Sequence, residues 1–274
     1  MQAEDFIGKA GEAAAMSKVF DGLFLGGSFG KGQADEWSDV DLVGLAPAER
    51  HAAIEAWWRD WLEGQEHLIY FKVWQRGGTL INAITESWLR VDLHLPEDGR
   101  LGRQAQDGIK PLYDPQNLYA QLAPSLSAHR PDPQRIEAMI LEFIRILGLT
   151  PVTLGRREYV VMVMGTGMLR DMLVQLMQEQ LPLADRGGML HLNRLLPPAD
   201  IAALENLPYP RAEPASLIAA QLALARLFLP RARAMAGPLG IAWPEAFEMA
   251  ARAHLAQAIG RAPEALWPLG MNGR

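Results

Sequence analysis

The 274-residue chain contains no cysteine, which rules out disulfides, thiol nucleophiles and thiolate-ligated zinc and fits a reducing, cytoplasmic setting. Basic charge is in deficit: 26 lysines and arginines face 32 acidic residues, a formal charge of −6. A dedicated nucleic-acid binder would show the opposite balance, so nucleic acid is not the expected partner. No lysine follows Lys110. The opening residues MQAEDFIGKAGEA lack an apolar core segment, so no secretory leader is expected. The longest apolar stretches, such as Leu217 to Leu229, are broken by Gln221 and Arg226, and no membrane span is expected. A Walker-type phosphate loop is missing as well. The spacing from Gly26 to Gly30-Lys31 is one residue short, and Gly32 stands where serine or threonine is needed. Histidines occur without the i, i+4 pairing of a zinc helix, and no internal repeat is visible.

What is present is a globular composition, 49% apolar and 21% charged, with enough residues for one large domain or two ordinary ones. Helical periodicity covers residues 3–20, with Phe6, Ile7, Ala10, Ala14, Val19 and Phe20 inward and Gly22 as the stop. Strands are expected over 23–26, 40–45, 67–75, 79–84 and 88–95, the last two as antiparallel neighbours. Pro47 suits the first turn of a helix running to about Glu63. Residues 97–116 read as a connection, and from Pro133 the pattern turns helical over 133–148, 156–180, 213–235 and 243–260. An α+β fold follows. A domain with a mixed sheet is expected over 1–115 and an all-helical bundle over 116–274. Trp57, Trp58 and Trp61 are expected to pack a helix on the sheet, Trp37 to cap the core, and Met164, Met168 and Met172 to form a buried stripe.

Gly26 to Leu42, GGSFGKGQADEWSDVDL, carries the chemistry. In a strand, Asp39 and Asp41 project to one side while Val40 and Leu42 point into the core. Two adjacent carboxylates repel, so the pair calls for a cation or a shared proton. Hard oxygen ligands suit Mg²⁺, which commonly combines one or two carboxylates with substrate phosphates. The glycine turn just upstream lets backbone N–H groups approach a phosphate. In WLRVDLHL, Asp92 shares a face with Arg90 and His94, opposite Val91, Leu93 and Leu95. If its strand lies beside that of Asp39 and Asp41, Asp92 joins the same cation or serves as a general base. The alternative for Asp92 is a surface acid paired with Arg90 or His94.

Leu25-Gly-Gly-Ser-Phe-Gly-Lys-Gly32 followed by Ser38-Asp-Val-Asp-Leu42 resembles the signature of the DNA polymerase β-like nucleotidyltransferase superfamily. Within it, the layout is similar to bacterial aminoglycoside and lincosamide nucleotidyltransferases, which join such a domain to a C-terminal helical one. The resemblance covers about residues 25–95 in letters and the remainder in layout only. It implies an Mg²⁺-dependent adenylyltransferase moving AMP, or another NMP, from an NTP such as ATP to a hydroxyl of a small molecule, with pyrophosphate released. It further implies that Gly27 and Ser28 hold the β- and γ-phosphates, that Ser38 adds a hydroxyl to the triphosphate, and that Asp39, Asp41 and Asp92 bind metal. Lys31, where arginine is frequent, belongs to the same nucleotide site. Relatives often bring a lysine from the helical domain, and here Arg156, Arg157 or Arg170 would have to substitute. Two other readings are an enzyme of the same superfamily acting on RNA or protein, and a nucleotide-binding relative without activity.

Overall fold

The computed structural model describes residues 2–184 and 189–269. The chain divides into two compact units, Met1–Ser127 and Ala128–Arg274.

The first unit begins with α1 (Ala3–Ser17), which ends where Lys18 turns left-handed. Phe20 is buried, yet it lies beyond the helix. There follow β1 (Gly22–Leu25), the one-turn helix α2 (Gly27–Gly30), β2 (Val40–Leu45), and α3 (His51–Gln65) after a 3₁₀ turn next to Pro47. Then come β3 (Leu68–Gln75), β4 (Gly78–Thr85), β5 (Arg90–Pro96) and β6 (Lys110–Tyr113). The six strands form one sheet in the order β3-β4-β5-β2-β1-β6. It is mixed: β2 and β5 run parallel and the other neighbours antiparallel.

Alternation along the strands makes one face of this sheet a core. Val40, Leu42, Ile81, Ala83, Val91, Leu93 and Leu95 are buried in one cluster with Phe6, Ala10, Ile54, Trp58 and Leu62 from α1 and α3. Each fully buried large aliphatic there contributes about 1.5–3 kcal/mol. Trp61 stacks with Trp57 and with Trp58, and the three meet Phe6 and Phe20 edge-on or tilted, as expected of a helix packed on a sheet. The other face presents Asp41, Asn82, Arg90, Asp92 and His94, all half-buried.

The segment after Pro96 is more than a connection. Its Lys-Pro-Leu-Tyr stretch adds β6 to the free edge of β1, although four residues with a proline give no strand signal. Farther on, Leu118, Tyr119 and Leu122 pack on Phe24, Leu45 and Ile109. Gln106 and Asp107 donate backbone bonds to Ala123 and Pro124. These contacts tie residues 116–127 to the sheet, so the first unit ends about a dozen residues later than a boundary at 115 would put it.

The second unit contains α4 (Pro133–Gly155), α5 (Tyr159–Glu179), α6 (Leu192–Leu195), α7 (Pro198–Glu205), α8 (Pro214–Ala236) and α9 (Glu245–Ile259). Asp132 caps α4 by accepting from the Gln134 N–H. α4 continues through Pro151 rather than stopping at 148, because burial of Thr150 and Leu147 holds the turn that the proline weakens. Phe143 and Phe228 stack at 3.8 Å in the shared core of α4 and α8. By length and composition alone α4, α5 and α8 are each apolar enough to cross a membrane, against the expectation drawn from Gln221 and Arg226. Within the unit, up to half of each such window is buried against neighbouring helices.

Two expected burials fail. Met164 and Met168 are 67% and 52% exposed, and only Met172 is buried, because the inner line of α5 runs through Met162, Thr166, Leu169, Met172 and Leu173. Trp37 is 77% exposed, in the loop before β2.

Candidate active site at the Gly-Ser turn

The parallel pairing of β2 with β5 sets Asp41 opposite Asp92. Asp39 lies one step before β2. One carboxylate oxygen from each of Asp39, Asp41 and Asp92 lies within 4.8 Å of the other two. Asp41 and Asp92 sit on strands far apart in the chain, with Asp39 just before the first of them, and the sheet brings the three together.

Electrostatics are those of an acid cluster short of positive charge. The Asp41 carboxyl is pushed up to about 6, first by burial and then by the charges of Asp39 and Asp92, with Lys31 and Arg90 pulling the other way. Burial also raises Asp92, while a hydrogen bond from Asn82 restrains the rise. That bond runs from Asn82 Nδ2 to Asp92 Oδ1 at 2.8 Å. Arg90 reaches toward Asp39 at 4.0 Å and donates to the Trp37 carbonyl at 2.7 Å.

The glycine turn lies directly against this cluster. Gly26 N–H donates to the Asp41 carbonyl at 2.8 Å, pinning the turn to β2. Gly27 has φ +56, and a Cβ there would fall 1.8 Å from Asp41 Oδ2. Only glycine supplies both the left-handed conformation and the close approach. Gly30 has a different constraint, since a Cβ would stand 2.5 Å from the Leu25 carbonyl. Ser28, which follows Gly27, is 9% exposed, and its Oγ is buried without a hydrogen-bond partner among the described residues. A buried hydroxyl left unbonded is costly, so it marks a place for a polar ligand atom.

These observations fit a divalent cation and a phosphate chain: three converging hard oxygen donors, an acid held above its ordinary value, and an orphan hydroxyl in the adjoining turn. Lys31 closes α2 near enough to affect Asp41. Ser38 is placed differently from a bare phosphate donor. Its hydroxyl donates to Asp35 Oδ1 and accepts from the Asp35 N–H, closing a local turn. In the second unit, Arg170 donates to the Leu204 and Pro208 carbonyls and lies over the Tyr209 ring.

Two residues of the neighbourhood escaped the sequence reading. Asn82 carries no chemical signature of its own, and only the β4–β5 register sets it on Asp92. Lys110 reaches the glycine loop, its ammonium beside Gly32, because β6 joins the sheet next to β1.

No family model and no curated protein matches the sequence. Among solved structures, the chain is similar to an aminoglycoside 6-adenyltransferase from Bacillus subtilis. The similarity spans 82% of this chain and 89% of that one, at 13% identity and a TM-score of 0.44. So loose a likeness says nothing of chemistry, which rests on the residues themselves.

Proposed function

We propose that the chain is an Mg²⁺-dependent nucleotidyltransferase of the cytoplasm, transferring an NMP, AMP from ATP in the first instance, to a hydroxyl of a small molecule. The single observation that carries this reading is the convergence of Asp39, Asp41 and Asp92 beside the buried, unpartnered Ser28 hydroxyl.

Asp39 and Asp41 would hold Mg²⁺, with Asp92 as a further ligand or as the base. When bound, Mg²⁺ neutralises charge on the phosphate oxygens as the transfer proceeds. The chain's own groups account for the rest. Gly27 brings its backbone close to the phosphates, and Ser28 Oγ donates a hydrogen bond to a phosphate oxygen. Lys31 adds positive charge beside the same turn. Asp92, oriented by Asn82 and raised by burial, accepts the proton of the acceptor hydroxyl. The hydroxyl oxygen bonds to the α-phosphorus, the bond from that phosphorus to the bridging oxygen breaks, and pyrophosphate leaves. Positioning and charge complementarity supply most of the rate in such transfers.

The acceptor class implied by the sequence resemblance includes aminoglycoside and lincosamide hydroxyls. The test is pyrophosphate release with each NTP against a panel of hydroxyl acceptors. Asp39→Asn and Asp41→Asn are expected to reduce release to background while the far-UV circular dichroism stays native. Undiminished release in either variant would refute the assignment.

A further inference from the structure

Beyond the acids, the half-buried sheet face continues outward to its β3 edge. Strand register sets Asp41 opposite Asp92, Asp92 opposite Asn82, and Asn82 opposite Lys72. Register partners in a sheet point to the same side, so these four side chains form one polar row. Tyr70 and Trp74 flank Lys72 on β3, opposite Ile84 and Leu80 of β4. Both rings are exposed, at 43% and 38%. The Lys72 and Arg76 cations each lie 5.3 Å from the Trp74 ring centroid. The result is a basic, aromatic strip on a chain whose net charge is −6. Toward the opposite edge, Leu118, Tyr119 and Leu122 pack with Phe24, Val43 and Leu45 and cover that part of the sheet.

We infer that the Tyr70–Lys72–Trp74 strip seats the acceptor, and that this acceptor has a flat apolar body and a negative group. Two strand spacings, about 10 Å, separate Lys72 from Asp92, which sets the span from negative group to reacting hydroxyl. The inference rests on the nucleotidyltransferase reading. Once Asp39, Asp41 and Asp92 are committed to cations, the charged side chains left along this face of the described strands include Arg90 and Lys72, with Arg76 beside Trp74. A polycationic acceptor meets repulsion there, whereas a carboxylate or phosphate finds a partner in Lys72. Tyr70 and Trp74 give a planar body two rings to stack on, with Leu80 and Ile84 beneath.

The probe is a hydroxymethyl-naphthoate, with hydroxymethyl-naphthylmethylamine as its cationic counterpart. Binding to the full chain is followed by calorimetry and by the indole resonance of Trp74. The carboxylate is expected to bind at least about tenfold more tightly than the amine and to shift that resonance. Lys72→Glu should weaken the carboxylate by a similar factor, and Lys72→Arg should restore most of it. Trp74→Ala should remove the naphthyl contribution for both probes. Equal affinity of the two probes, or unchanged carboxylate binding in Lys72→Glu, would overturn the inference. Tighter binding of a single-stranded oligonucleotide at the same residues would overturn it in favour of a polynucleotide. ATP with Mg²⁺ is titrated separately. Carboxylate binding that persists while ATP fails to bind would support the strip's chemistry and count against the reading of the acids.

Discussion

Asp41 and Asp92 face each other across the one parallel pairing of the sheet, each on a half-buried face whose reverse is core. That relationship forces two carboxylates into a place that burial alone disfavours. Burial first, and then the charges of Asp39 and Asp92, push the Asp41 carboxyl up.

Asp41 should therefore cost stability in the metal-free protein. Its carboxyl rises from 3.8 to about 6 on folding, so the folded state holds a proton more tightly than the unfolded one. The penalty is absent below the unfolded value, grows as pH rises between the two, and is complete above about 6. Its size is on the order of 3 kcal/mol. Asp41→Asn should be more stable than the parent by about that amount in EDTA at pH above 7, with the gap closing toward pH 4. Urea denaturation across that pH range checks the sign. Added Mg²⁺ with ATP should stabilise the parent and not the variant.

Gly27→Ala should disable the site without unfolding the unit. The added Cβ would collide with the Asp41 carboxylate and carry the strain of a left-handed conformation, about 1 kcal/mol. Pyrophosphate release should fall on the order of a hundredfold, the scale seen when reacting groups are misplaced by about an ångström. A thermal melt should show only a small loss.

Asn82 is a positioning residue for Asp92. Asn82→Ala removes the bond that holds the Asp92 pKa down, so the acidic limb of the kcat profile should move to higher pH. kcat should fall on the order of tenfold with the KM for ATP little changed, and Asn82→Gln should recover part of it. A loss of stability with an unmoved pH profile would reduce Asn82 to a structural role.

In the helical unit, Glu248 is buried and accepts from Trp243 Nε1 at 2.7 Å, Trp267 Nε1 at 3.1 Å and Arg233 Nη2 at 2.6 Å. Glu248→Ala removes the acceptor of both indole N–H groups, while Arg233 keeps Glu245, and should cost about 1–3 kcal/mol for each N–H so left. Chemical denaturation of the whole chain measures it.

Legibility in the sequence followed the physics of each signal. β2 lay over residues 40–45 as expected, because alternation of Val40, Leu42 and the acids is a local pattern. The acid pair and the Gly-Ser turn were equally visible, since each needs particular residue types at short range. β6 was not, because it is a strand only by virtue of the β1 edge it joins. Asn82 and the Tyr70–Lys72–Trp74 strip depend on the registers of β3, β4 and β5, which no single strand encodes. Met164 and Met168 misled for the opposite reason: a spacing of four marks a helix face without saying whether it is the inner one.

The central claim is that Asp39, Asp41 and Asp92 together hold divalent cations under a triphosphate. Mn²⁺ titration in the presence of a non-hydrolysable ATP analogue, with free Mn²⁺ read by electron paramagnetic resonance, tests it most directly. The prediction is saturable, nucleotide-dependent Mn²⁺ binding in the parent that is lost in Asp39→Asn and Asp41→Asn. Equal Mn²⁺ binding in parent and variants would contradict it.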